Sequence, residues 1–165
     1  MPQDPFAPLR STLASQLRTS QAHAGLERIL SGIPENARGR RVNGSPHTIW
    51  RLLDHMRRTA EDLVAYVRAA DYEAPPWPAG YWPEGDAPPS STAWDESLRG
   101  LRQAVEAMAA MVEDPSRDLF AQAPAAERDG HHLVRCALVL LDHDSHHLGQ
   151  IITLRRELGV WPPAS

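Results

Sequence analysis

The sequence has a single cysteine, Cys136, so no disulfide can form within the chain. It has no long hydrophobic run. No apolar stretch approaches the roughly 18 residues that a membrane-spanning helix needs, so no membrane partner is expected. It has no excess of basic residues either: the formal net charge is −4. No basic series follows one face, and nothing points to nucleic acid. The groups Arg38-Gly39-Arg40-Arg41 and Arg155-Arg156 are short and are expected to be solvated. Met1-Pro2-Gln3-Asp4-Pro5 lacks the basic-then-apolar pattern of a secretory leader, which leaves a cytoplasmic location as the expectation. Neither a strand-like alternation nor an internal repeat stands out. The 165 residues suffice for one domain, 1–165, with a sizeable core.

What the chain does have is helical periodicity. A first helix is expected over 8–31, with Leu9, Leu13, Leu17 and Ala24 on its apolar side and Gly32 and Pro34 as a stop. Residues 35–44 are polar, lack a period and read as a loop. A second helix is expected to start at Ser45 as N-cap with Pro46 in the first turn. Its apolar stripe is Ile49, Leu52, Leu53, Met56, Ala60, Leu63, Val64 and Val67, and His55 sits at the stripe's edge. Residues 71–89 hold so many prolines that neither helix nor central strand fits. Trp77, Tyr81 and Trp82 inside this link argue for docking rather than disorder. They either line a pocket mouth or cover the core.

A third helix is expected from Thr92, with Thr92 and Asp95 as a capping box. Trp94, Leu98, Leu101, Val105, Met108 and Val112 form its seam, and Pro115 ends it. Residues 118–128 are ambiguous, with one short helical turn around Leu119 and Phe120 as their reading. A fourth helix is expected over 130–158, with Asp129 as its cap and Gly159 and Pro162 as its stop. Four such helices make an all-α four-helix bundle. The long link between helices two and three permits a crossover that runs them parallel.

Three of the eight histidines fall between positions 143 and 147. His143 and His147 are four apart, so a helix stacks them on one face, in line with Leu140 and Ile151. An imidazole on an apolar stripe must find a hydrogen bond or a ligand, because burying it unpaired is costly. Neutral imidazole is also the commonest protein metal ligand, and two at this spacing reach one ion. His55, mid-helix beside a core stripe, is the best third ligand. Three nitrogens leave coordination positions open, which is the catalytic pattern. Zinc is the first choice, with nickel, copper and iron also suited to imidazole. Set against this, an HxxxH pair alone is weak evidence, and satisfied core histidines remain an alternative.

The other candidates read more blandly. His146 points about 60° aside from His143 and is expected at the rim. His47 is expected to act as a surface or cap residue, and His23, His131 and His132 as solvated residues. Cys136 reads as a small buried hydrophobe. Asp142 and Asp144 are expected to face outward, although either could orient a histidine. Gln150 lies near the azimuth of the pair, and Gly149 would permit a close helix approach.

The runs His143-Asp144-Ser145-His146-His147-Leu148-Gly149-Gln150 and Ser45-Pro46-His47-Thr48-Ile49-Trp50-Arg51-Leu52-Leu53-Asp54-His55-Met56 resemble the histidine motifs of the DinB/YfiT-like superfamily. Leu154-Arg155-Arg156-Glu157-Leu158-Gly159 and the Trp77–Pro83 link are similar as well, and the resemblance spans roughly the whole chain. It implies a bundle in up-down-down-up order, a homodimer, and a three-histidine metal site at His55, His143 and His147. Relatives of this kind include transferases that use bacillithiol or mycothiol. The expected function is therefore a metal-dependent enzyme, plausibly a low-molecular-weight-thiol S-transferase acting on a small molecule; a hydrolytic reaction is the variant. The alternative from another class is a non-catalytic stress-response or small-ligand-binding bundle with a structural or incidental metal.

Overall fold

The computed structural model describes residues 4–126 and 131–163. Their regular structure is helical: α1 (Ala7–Arg18), α2 (Leu26–Leu30), α3 (Glu35–Arg38), α4 (Ile49–Arg68), a 3-10 turn (Ala79–Tyr81), α5 (Ala93–Glu113) and α6 (Leu133–Glu157). The described residues contain no strand, only an isolated antiparallel bridge between Gln122 and His132.

The expected first helix is broken in two. Thr19 turns extended, and its hydroxyl donates to the Ser15 carbonyl, while Ser20 Oγ accepts from the His23 N–H. Such local side-chain bonds compete with the helical ladder, and they end α1 twelve residues into the pattern. Extended Gly25 then precedes α2. The stretch read as loop, 35–44, contains the four-residue α3.

α4 starts later than Ser45 and Pro46 indicate. Thr48 is the cap, its Oγ1 accepting from the Arg51 N–H at 3.2 Å, and Ser45 instead bonds the backbone of His47. The predicted stripe is the buried face: Ile49, Leu52, Leu53, Met56 and Ala60 are within 1% of full burial. Side chains of this size contribute on the order of 1.5–3 kcal/mol each when buried. α4 packs against both α5 and α6, and α1 packs against α5.

α5 begins after Thr92, but the capping box with Asp95 does not form. Ser90 Oγ accepts the Ala93 N–H at 3.1 Å in its place. Asp95 and Glu96 still suit the positive end of the helix. Leu119 is buried in a turn that is not helical. Asp129, the expected cap of α6, lies outside the described residues. The cap is His132, whose Nδ1 accepts from the Arg135 N–H at 3.1 Å, so this histidine is not simply solvated. α6 ends as its glycine dictates. Gly159 has φ +71°, its N–H bonds the Arg156 carbonyl, and the Val160 N–H reaches back to Arg155.

Two arginines tie helix ends together. Arg155, expected in solvent, is completely buried. Its guanidinium donates to the carbonyls of Ile29, Ser31 and Val160, joining the end of α2 to the end of α6. Arg10 likewise donates to the carbonyls of Val112 in the last turn of α5 and of Asp114 and Arg117 beyond it. Arg38 lies over the Trp94 ring at 4.5 Å.

Candidate metal centre

α4 and α6 bring His55, His143 and His147 together. One ring nitrogen from each lies within 4.8 Å of the others. His55 and His147 are buried and His143 is half-buried. Among the described residues no further His, Cys, Asp or Glu joins the cluster.

The protein fixes the outer nitrogen of two of the three rings. His55 Nδ1–H donates to the Tyr81 carbonyl at 2.8 Å, and His147 Nδ1–H donates to Gln150 Oε1 at 2.7 Å. Each Nε2 is then left with its lone pair toward the cluster. Burial, with a smaller contribution from the neighbouring histidines, lowers both imidazoles to a pKa of about 4 against the raising effect of the Tyr81 and Gln150 hydrogen bonds. Both rings are therefore neutral at pH 7, which is the form that binds a cation.

His143 supplies the test of fit. Its Nε2 lies 3.0 Å from His55 Nε2. With the His55 proton committed to Tyr81, His143 must carry its own proton on Nε2 to make that contact. Its Nδ1 is then bare, and it is buried without a hydrogen-bond partner. Asp144 Oδ1, 3.5 Å away, is buried without one too. Both orphans are answered by one change. If a cation takes the Nε2 lone pair, the proton moves to Nδ1, where it faces Asp144. The residues present fit a divalent cation, with His55, His143 and His147 as its ligands.

Asp144 was expected to face outward, yet it is 8% exposed. Burial raises its pKa against the lowering effect of His143. With Leu13 and Leu17 of α1 it lines a hollow of about 570 Å³. Asp142 is exposed, as expected.

The proline-rich link is strapped along α4. Thr48 donates to the Asp86 carbonyl at 2.6 Å, Arg51 to Glu84, and Arg58 to Gly80. Tyr72 and Tyr81 both donate their phenolic protons to Asp62. Burial, reinforced by Asp62, raises both phenols, so they remain donors. The strap brings Trp82 flat onto His55, with ring centres 3.8 Å apart and planes within 5°. His47 also stacks on Trp82, with ring centres 4.3 Å apart. Trp77 is 79% exposed and covers no core.

A match to the DinB superfamily covers residues 18–151, well over half of the chain and all three clustered histidines. The chain belongs to the DinB superfamily. No curated protein and no solved structure matches it.

In this DinB chain the remaining candidates fall outside the cluster. His146 is exposed beside His147. His47 precedes α4, and burial lowers its pKa. His131 takes part in a 2.8 Å hydrogen bond with the Tyr66 hydroxyl, and exposed His23 contacts Ser145. Cys136 is buried and burial raises its thiol, so it offers no thiolate at neutral pH. Gly149 faces open space and serves no close approach.

Sequence reasoning singled out Tyr81 as a docked aromatic but not its carbonyl as the His55 acceptor, and it missed Arg58 and Asp62. The signal was present for the last two. Thr48, Arg51, His55, Arg58 and Asp62 recur at three and four, a polar stripe on a helix whose other face is core. Such a stripe asks for a polar partner, and the link is that partner.

Proposed function

We propose that this DinB protein is a metal-dependent enzyme that activates a low-molecular-weight thiol for transfer to a small electrophile. The observation that carries this reading is the set of three imidazoles whose outer nitrogens face protein acceptors and which no fourth protein ligand closes among the described residues. Structural zinc sites generally close with four protein ligands, whereas catalytic sites keep a position open.

A divalent ion bound there would lower the pKa of a thiol or water toward neutrality. The chain's own residues do the rest. Tyr81 and Gln150 hold His55 and His147 in the tautomer that offers Nε2. Burial keeps both rings neutral. Trp82 covers one face of His55 and excludes water from it. A hollow of about 440 Å³, lined by Ser45, His47, Leu52, Gln150 and Thr153 among others, abuts this arrangement and would admit a small molecule.

Zinc is the metal of this reading, with nickel or iron as the other imidazole-compatible ions. Bacillithiol or mycothiol is the thiol it would use. The reading further takes 1–165 as one domain in up-down-down-up order, working in the cytoplasm as a homodimer. The test is to load the purified chain with zinc and assay conjugation of a model electrophile by each thiol. Zinc binding with thiol-dependent turnover supports the reading. Zinc binding without thiol-dependent turnover removes the transferase, and hydrolysis of ester or amide substrates is then the assay.

A further inference from the structure

We propose that Asp62 is a positioning residue of the metal centre, acting through Tyr81 on His55. The inference rests on the reading of the three histidines as a metal site.

The acceptor that fixes His55 is a main-chain carbonyl in a loop, and such an acceptor is only as well placed as the loop that carries it. Asp62 lies seven residues after His55 on α4, two turns or roughly 10 Å along the same rigid helix. Its two carboxylate oxygens take different phenols. Tyr72 donates to Oδ1 at 2.5 Å and Tyr81 donates to Oδ2 at 3.1 Å. These two tyrosines are the two ends of the loop 72–81. One carboxylate thus closes the loop on itself and pins it to the helix that carries His55.

The loop between them is folded tightly. A Cβ at Gly80 would sit 2.6 Å from Pro75 Cβ, and the Gly80 carbonyl accepts from Arg58 at 3.1 Å. The Tyr81 carbonyl follows one residue later, 2.8 Å from His55 Nδ1. The path from Asp62 to the imidazole therefore has three links: carboxylate to phenol, phenol to its own main chain, carbonyl to ring N–H. Without the first link, the segment is held near His55 only by the Arg58 bond to the Gly80 carbonyl and the ties further along the link, so the Tyr81 carbonyl is less closely fixed and His55 is freer to carry its proton on Nε2, where it blocks a cation. Outer partners of metal-bound histidines commonly hold a 10–100-fold share of affinity.

The test uses the full chain without metal and then with zinc. Nitrogen-15 NMR of the metal-free wild type should show His55 protonated at Nδ1 alone. Asp62→Ala should mix the two tautomers and weaken zinc about tenfold. Tyr81→Phe keeps the ring and loses only the hydroxyl, so it should act in the same direction with an unchanged fold; it carries the test if Asp62→Ala does not fold. A folded Asp62→Ala chain with the wild-type His55 tautomer and wild-type zinc affinity overturns the proposal, as does a Tyr81→Phe chain unchanged in both. A wild-type chain that binds no zinc overturns the metal reading itself, and the tautomer measurement, made without metal, keeps that failure separate from failure of the positioning.

Discussion

His143 Nδ1 and Asp144 Oδ1 lie 3.5 Å apart, buried, and neither has a hydrogen-bond partner. A lone pair facing a buried oxygen is costly, at about 1–3 kcal/mol for each unsatisfied group. Shifting one proton from Nε2 to Nδ1 pairs them and frees Nε2 for a cation. On the proposed reading, metal binding and the relief of this pair would be the same event. Asp144→Asn keeps the size of the side chain and removes the charge. It should weaken zinc about tenfold, read by competition with a coloured chelator. Equal affinity in the two proteins would show that the pair does not contribute.

The pH response of the metal-free chain follows from His55 and His147, each lowered to a pKa of about 4 by burial. In the unfolded chain these imidazoles titrate near 6.5. Between the two values the unfolded state binds more protons than the folded one, so stability falls as pH drops from about 6.5 toward 4. Urea unfolding of metal-free protein at pH 7, 5.5 and 4.5 should show that loss, and His55→Gln should reduce it, with His147 keeping the remainder. A stability independent of pH across this window would contradict the burial argument.

The Arg155 guanidinium donates to three carbonyls, of Ile29, Ser31 and Val160. Arg155→Ala should destabilise the fold by about 3 kcal/mol or more, measured by denaturant unfolding. Arg155→Lys should recover only part, because an ammonium cannot reproduce the planar fork. Zinc affinity should stay near the wild-type value in chains that fold, since the residue is two turns beyond His147.

How much of this was legible in the residues depends on where the information lies. The buried faces of α4 and α6 follow from apolar positions at helical spacing, and the same spacing puts His143, His147 and Ile151 in line. His55 was legible because it borders such a stripe. The break between α1 and α2 was not, since Thr19 and Ser20 sit inside an apolar rhythm and only their local hydrogen bonds end it. Asp144 points about 100° away from His143 around its helix, which reads as outward, yet on that flank it lines a hollow with residues of α1. Arg155 hides for the opposite reason: its charge reads as surface, while the carbonyls that accept from it belong to distant turns. Tyr81 acts through its carbonyl, and a main-chain acceptor leaves no mark in residue identity.

The central claim is that His55, His143 and His147 form one cation site. Equilibrium dialysis against zinc, followed by metal analysis of wild type and His143→Ala, tests it most directly. The account predicts one zinc per wild-type chain and a variant that remains helical but retains none. A wild-type chain without zinc, or a variant that retains it equally, would contradict the account.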